Sequence, residues 1–131
     1  MEPIEQIQAS NHWGLFPWFP EYGIGMIHPD DTDRFAALSP NGKVFESLGQ
    51  RDGYLVLAYG DATFRVKPDL FRVVMQPSKR IGELVTIESK GKRVLATIVE
   101  IHWHHQRNET FYLVQIDGKR LSKRYWSNEW Q

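Results

Sequence analysis

Short alternating apolar and polar runs, tight-turn dipeptides between them, and one pattern written twice predict a mainly β protein of two tandem small barrels. The clearest runs are "YLVLAYGDATFRVKP" from Tyr54 and "YLVQIDGKRLSKRYW" from Tyr112. Each holds a turn signal, Gly60-Asp61 in the first and Asp117-Gly118 in the second. Asp-Gly favours a type I′ turn, whose two central residues both need φ > 0. With two-residue turns, Leu57 faces Phe64 and Leu55 faces Val66, so four apolar residues share one face of a half-buried sheet. The same pairing sets Val114 against Leu121 and Tyr112 against Lys123, which makes the second core less apolar.

Aligned so that Ile24-Gly25 falls on Ile81-Gly82, the halves repeat: Leu57 meets Val114, Tyr59 meets Ile116 and Phe64 meets Leu121. "QPSKR" between them reads as a short linker. The first hairpin is followed by "KPDLFRVV". A proline turn, two large apolar residues and a β-branched strand in that succession match the end of an SH3-like or Tudor-like barrel. The second half stops at "YWSNEWQ", so a fifth strand is expected to be missing and Trp130 to plug that end. One short helix is expected within "HPDDTDRFAALSPNG". Pro29 suits its first turn, Asp30, Asp31 and Asp33 its positive end, and Phe35 and Leu38 one face. "GLFPWFPEYG" is too rich in glycine and proline for a helix or central strand. It predicts an extended aromatic arm over 1–22, ahead of a first barrel over 23–76 and a second over 80–131.

The 131 residues are 41% hydrophobic and 13% aromatic, enough for packed cores rather than disorder. With no cysteine, disulfides, zinc–thiolate sites and thiol nucleophiles are excluded. The longest apolar run, near Leu55–Tyr59, falls far short of the about 20 residues of a membrane helix. "MEPIEQIQAS" has neither a basic start nor an apolar stretch, and a cytoplasmic protein is the expectation. Net charge is zero, yet residues 1–77 carry six Lys/Arg against ten Asp/Glu, and residues 78–131 ten against six. Such a division can steer a partner.

Catalytic patterns are thin. No serine sits in a nucleophile elbow, and no phosphate-cradling glycine loop or zincin motif occurs. "IHWHHQRNE" places Glu100, His102 and His104 on one strand face. Two histidines at that spacing can share a metal, but Glu100 and His104 would lie about 13 Å apart along a strand. A further ligand such as His12, His28 or an Asp would be needed. The alternative is a polar strand end with Trp103 turned toward the core. No metal and no cofactor is expected. The cations Lys90, Lys92, Arg93, Lys119, Arg120, Lys123 and Arg124 interleave with Tyr125 and Trp126. That mixture suits nucleic acid, where charges track phosphates and rings stack bases. It equally suits an acidic protein surface, with Arg, Tyr and Trp as anchors. Trp18 and Trp103 complete the candidate binding residues with Lys119, Arg120, Lys123, Arg124, Tyr125 and Trp126.

"WGLFPWFPEYG", "IHPDD", "GKVFE", "YGDATFRVKPDLFR" and "DGKRLSKRYW" together resemble a family of small uncharacterised bacterial proteins, over nearly the whole chain. The resemblance implies a bacterial, cytoplasmic setting and brings no catalytic residues. The expectation is a non-catalytic protein-interaction module, of immunity or regulatory type. The alternative is RNA or DNA binding through the basic second half, for which a neutral chain is an unusual vehicle.

Overall fold

The computed structural model describes residues 12–130 of the chain. Two compact units divide it, Met1–Gln76 and Pro77–Gln131, and each is built around one antiparallel sheet.

In the first unit the strands are β1 (His12–Leu15), β2 (Val44–Arg51), β3 (Tyr54–Tyr59), β4 (Ala62–Val66) and β5 (Arg72–Val74), in the order β4-β3-β2-β1-β5. A long connection carrying helix α1 (Thr32–Leu38) joins β1 to β2, and a 3₁₀ turn at Pro68–Leu70 precedes β5. The β3–β4 hairpin has the predicted register, Leu55 opposite Val66 and Leu57 opposite Phe64. All four are buried. Gly60 has φ 63°, the positive angle needed at the first central position of a II′ turn.

The segment expected as an arm holds β1, an internal strand. Trp13 pairs with Glu46 on one side and Val74 on the other. Residues 1–11 of that segment lie outside the described residues. Gly14 makes the pairing possible. A Cβ there would come within 2.4 Å of the Arg72 carbonyl oxygen and 2.5 Å of the Phe71 ring, so only a bare backbone lets Phe71 close over β1. This is why "HWGL", closely followed by Pro17 and Pro20, still forms a strand.

Phe35 of α1 is the hub of the first core. It is fully buried, with ring centroids of Phe64, Phe45, Phe16 and Trp18 at 5.0, 5.6, 5.7 and 5.8 Å. The helix starts at Thr32, so Pro29 lies in the preceding turn, and Leu38 is only half-buried. Asp31 occupies the cap position but makes no side-chain capping bond. Its carboxylate reaches across to β4 instead. Arg65 donates its backbone N–H (2.8 Å) and Nε (2.8 Å) to Oδ2 and Nη2 (3.0 Å) to Oδ1, and Arg34 Nη2 adds a bond to Oδ1 at 3.0 Å. The Asp31 side chain is 5% exposed. Side-chain hydrogen bonds from Arg65 outweigh its desolvation and hold its carboxyl far below the ordinary 3.8.

The second unit contains β6 (Leu84–Ser89), β7 (Lys92–His104), β8 (Glu109–Ile116), β9 (Lys119–Arg120) and β10 (Tyr125–Trp126). The order is β10-β8-β7-β6, with β9 also on β8. Asp117 and Gly118 have φ 50° and 77°, both positive as a type I′ turn requires. Gln115 opposes Arg120, and the Leu121 N–H donates to the Val114 carbonyl at 2.9 Å. Beyond that the predicted register fails: Tyr112 pairs with Tyr125, not Lys123. Residues 121–124 leave the ladder. The slip has a physical reason. Lys123 opposite Tyr112 would bury an ammonium group, whereas Tyr125 fills that place at 4% exposure and stacks on Trp130 at 5.9 Å. Trp130 also packs edge-on to Tyr112 at 5.4 Å.

Neither sheet closes on itself through strand pairing. The sequence predicts that the second unit lacks the strand that follows the hairpin in the first, and among the described residues no strand follows β10 (Tyr125–Trp126). The tight Lys90-Gly91 turn joins β6 to β7, where the first unit has its helix-bearing connection.

Three outcomes follow for stability. Phe35→Ala should cost about 3–5 kcal/mol in denaturant titration, because it empties the centre of an aromatic cluster. Asp31→Asn should cost about 2–3 kcal/mol, less than for a fully buried pair because Arg65 is 42% exposed. Since Asp31 is depressed in the folded state, its contribution is complete above the unfolded value near 4 and is lost as pH falls below it. Circular dichroism at pH 2–6 should therefore show a shallower acid loss in Asp31→Asn than in the native chain. Gly118→Val should lower the melting temperature, since a β-branched residue resists φ > 0. An unchanged melting curve would remove the turn from the account.

Candidate functional site

The second unit carries its distinctive surface on the side of the sheet away from its core. A bulge in β7 creates it. Ile98 pairs with Val114 but Glu100 pairs with Leu113, so one extra residue is inserted between them. Before the bulge, Ala96 and Ile98 point into the core; after it, Ile101 does. The insertion reverses the parity of the strand. Glu100, His102 and His104 therefore line the outer face, opposite Leu113, Phe111 and Glu109.

There the rings form a continuous layer. His102 stacks on Phe111 (centroids 5.1 Å, planes 8° apart), and Trp126 lies 5.5 Å from Phe111. His104 meets both edge-on, at 6.3 and 5.5 Å. Two exposed guanidinium groups cover the layer: Arg107 lies 3.6 Å from the Trp126 ring centre and Arg124 4.7 Å from that of Phe111. Such contacts are worth about 0.5–1 kcal/mol each at exposed sites.

Hydrogen bonds fix the rim. The Arg107 backbone N–H donates to His104 Nδ1 at 3.1 Å, and the Trp126 N–H to Glu129 Oε1 at 2.9 Å. His102 Nε2 lies 2.7 Å from Glu100 Oε1, and Arg120 Nη1 pairs with Glu100 Oε2. Arg107 pairs with Glu109 at 3.0 Å. The histidines thus belong to a ring stack and a carboxylate bridge. Among the described residues no three His, Cys, Asp or Glu side chains come together as a metal set.

Of the residues singled out by sequence, Arg120, Arg124 and Trp126 meet on this face. Trp18 does not: it is 1% exposed, donates Nε1 to the Gly23 carbonyl at 3.0 Å and belongs to the first core. Tyr125 is buried, and Trp103 is half-buried opposite Thr110, on the core side. Lys123 sits 4.8 Å over the Tyr125 ring and 4.0 Å from Glu129. Lys119 opposes Ile116. Sequence reasoning missed Arg107 and Phe111. The signal was present in the strand register, since any hairpin aligning "HWH" with "ETF" brings His102 against Phe111.

The first unit offers two small concavities. A cup of about 240 Å³ includes His28, Arg51, Tyr54 and Arg65, but Arg65 is committed to Asp31. Phe19 and Pro20 border a groove of about 310 Å³ against Ala36 and Pro40.

No curated protein and no solved structure matches the chain. A family model does, over residues 5–131. That match includes both sheets, the bulged strand and every residue of the ring layer, so the chain belongs to a family of unknown function (DUF6960).

Proposed function

We propose that this chain is a non-catalytic protein-interaction module, of immunity or regulatory type, that grips its partner with the outer face of the second sheet. The observation that carries the reading is the layer Arg107–Trp126–Phe111–Arg124. Trp and Arg dominate the energetics of protein interfaces when they sit together in a preformed patch. Here each ring is held by its neighbours, so little side-chain freedom remains to be lost on binding.

The charge arrangement favours protein over nucleic acid. Arg107, Arg120 and Lys123 each face a glutamate, and a phosphate chain would have to displace those carboxylates. Phe111 is only 7% exposed, and Arg107 lies over the half-buried Trp126 ring, so a base would have to displace that guanidinium to stack.

The same reading takes the first unit as a small SH3-like barrel. Its support is the strand order, the long β1–β2 connection and the 3₁₀ turn before β5. The second unit then repeats the order β1-β2-β3-β4 as β6-β7-β8-β10, without a counterpart of β5.

Capture from a nuclease-treated lysate of the source organism, quantified by mass spectrometry, tests the reading. A partner should be retained by the native chain and recovered at least about tenfold less by a Trp126→Ala, Arg107→Ala variant, as loss of one hot spot of about 2 kcal/mol implies. Partners that vanish with nuclease, or that the variant retains fully, would overturn it.

A further inference from the structure

The core side of the second sheet holds a groove that the outer face does not explain. It lies at the open end of the sheet, between the Lys90-Gly91 and Asp117-Gly118 turns. Its volume is about 430 Å³, with Val94, Ile116 and Leu121 as apolar lining and Lys90, Lys92 and Lys119 around it. Strand alternation explains the mixture. Lys92 and Val94 share parity with the buried Ala96 and Ile98, and Lys119 opposes Ile116 as Leu121 opposes Val114. These side chains continue the core face past the point where the core is filled. Val94, Ile116 and Leu121 remain half-exposed.

The lysines differ from three cations of the outer face and its rim. Arg107, Arg120 and Lys123 each hold a glutamate. Among the described residues, none of the ammonium groups of Lys90, Lys92 and Lys119 is within ion-pair distance of a carboxylate. Both bordering turns have paired positive φ values, 52° and 78° for Lys90 and Gly91 and 50° and 77° for Asp117 and Gly118. They are tight turns with little freedom to fold over the groove.

We infer that this groove is a second binding site, for an acidic peptide segment that inserts one aliphatic side chain between carboxylates. Charge complementarity selects acidic residues, and the apolar floor selects the aliphatic anchor. Among the described residues no aromatic ring lines the groove, which disfavours a single-stranded nucleic acid that would stack its bases. The groove and the ring layer lie on opposite faces of the sheet, so the two sites can be tested separately.

The test is selection of a displayed random heptapeptide library on the folded full-length chain, then fluorescence anisotropy of an enriched peptide. The expected peptides carry two or more Asp or Glu around a Leu, Ile or Val. Their affinity should fall about tenfold in Lys92→Ser, Lys119→Ser, the loss of two exposed pairs of up to about 0.7 kcal/mol each. Arginine at both positions should restore it. Replacing the peptide's aliphatic residue by serine should weaken binding several-fold, and Trp126→Ala should leave it within twofold. No acidic enrichment, or equal binding to the serine variant, would overturn the inference. So would full competition by a thymidine dodecamer. Self-association of the serine variant without peptide binding by the native chain would also overturn it, leaving the lysines as guards of an open edge.

Discussion

The residue inserted into β7 between Ile98 and Glu100 determines which side chains of the second unit are core and which are surface. A regular strand would keep even-numbered residues inward along its whole length. His102 and His104 would then be buried and Ile101 exposed. The bulge prevents that and puts His102 flat against Phe111. Tyr112 can then oppose Ile101 from the core side and accept Tyr125 as its other neighbour. The ring layer outside and the Tyr112–Tyr125–Trp130 packing inside are two consequences of one inserted residue.

The two units solve the same problem with different means. The first gathers its aromatics around Phe35 and locks α1 to β4 through Asp31 and Arg65. A depressed, multiply bonded carboxylate is a costly group to bury, and it persists because each oxygen is satisfied. The second unit has no helix among its described residues and fewer buried aromatics. It ties its ends together by polar contacts, the Ser78 N–H donating to the Tyr112 hydroxyl at 2.9 Å and Ser127 Oγ lying 3.3 Å from that hydroxyl. A small sheet stabilised this way leaves ring and cation surface to spare, which is where both proposed sites lie.

What the sequence revealed follows the range of each signal. The β3–β4 hairpin and the Asp117-Gly118 turn were legible because turn chemistry and period-two alternation are local. The bulge was not. "ATIVEIHW" can be threaded with either parity, and only the pairing with β8 selects one. The Tyr112–Tyr125 pair was hidden because a two-residue turn, continued regularly, predicts Lys123, and the cost of burying Lys123 appears only once the core is assembled. β1 was obscured by the prolines that follow it, while its justification, the approach of Phe71 to Gly14, spans most of the first unit. Of the candidate binding residues, composition located the basic, aromatic C-terminal stretch. It could not separate the outward Trp126 from the inward Tyr125, nor recognise Trp18 as core.

The contact surface proposed for this chain is the outer face of β7, β8 and β10. The most direct test is a two-dimensional ¹H–¹⁵N titration of the labelled chain with its captured partner. The largest shifts and broadening are expected at the Trp126 indole, the Arg107 and Arg124 side chains and the amides of Phe111 and His102, with the first unit little changed. Perturbations confined to the first unit, with the Trp126 indole signal unmoved at saturation, would contradict it.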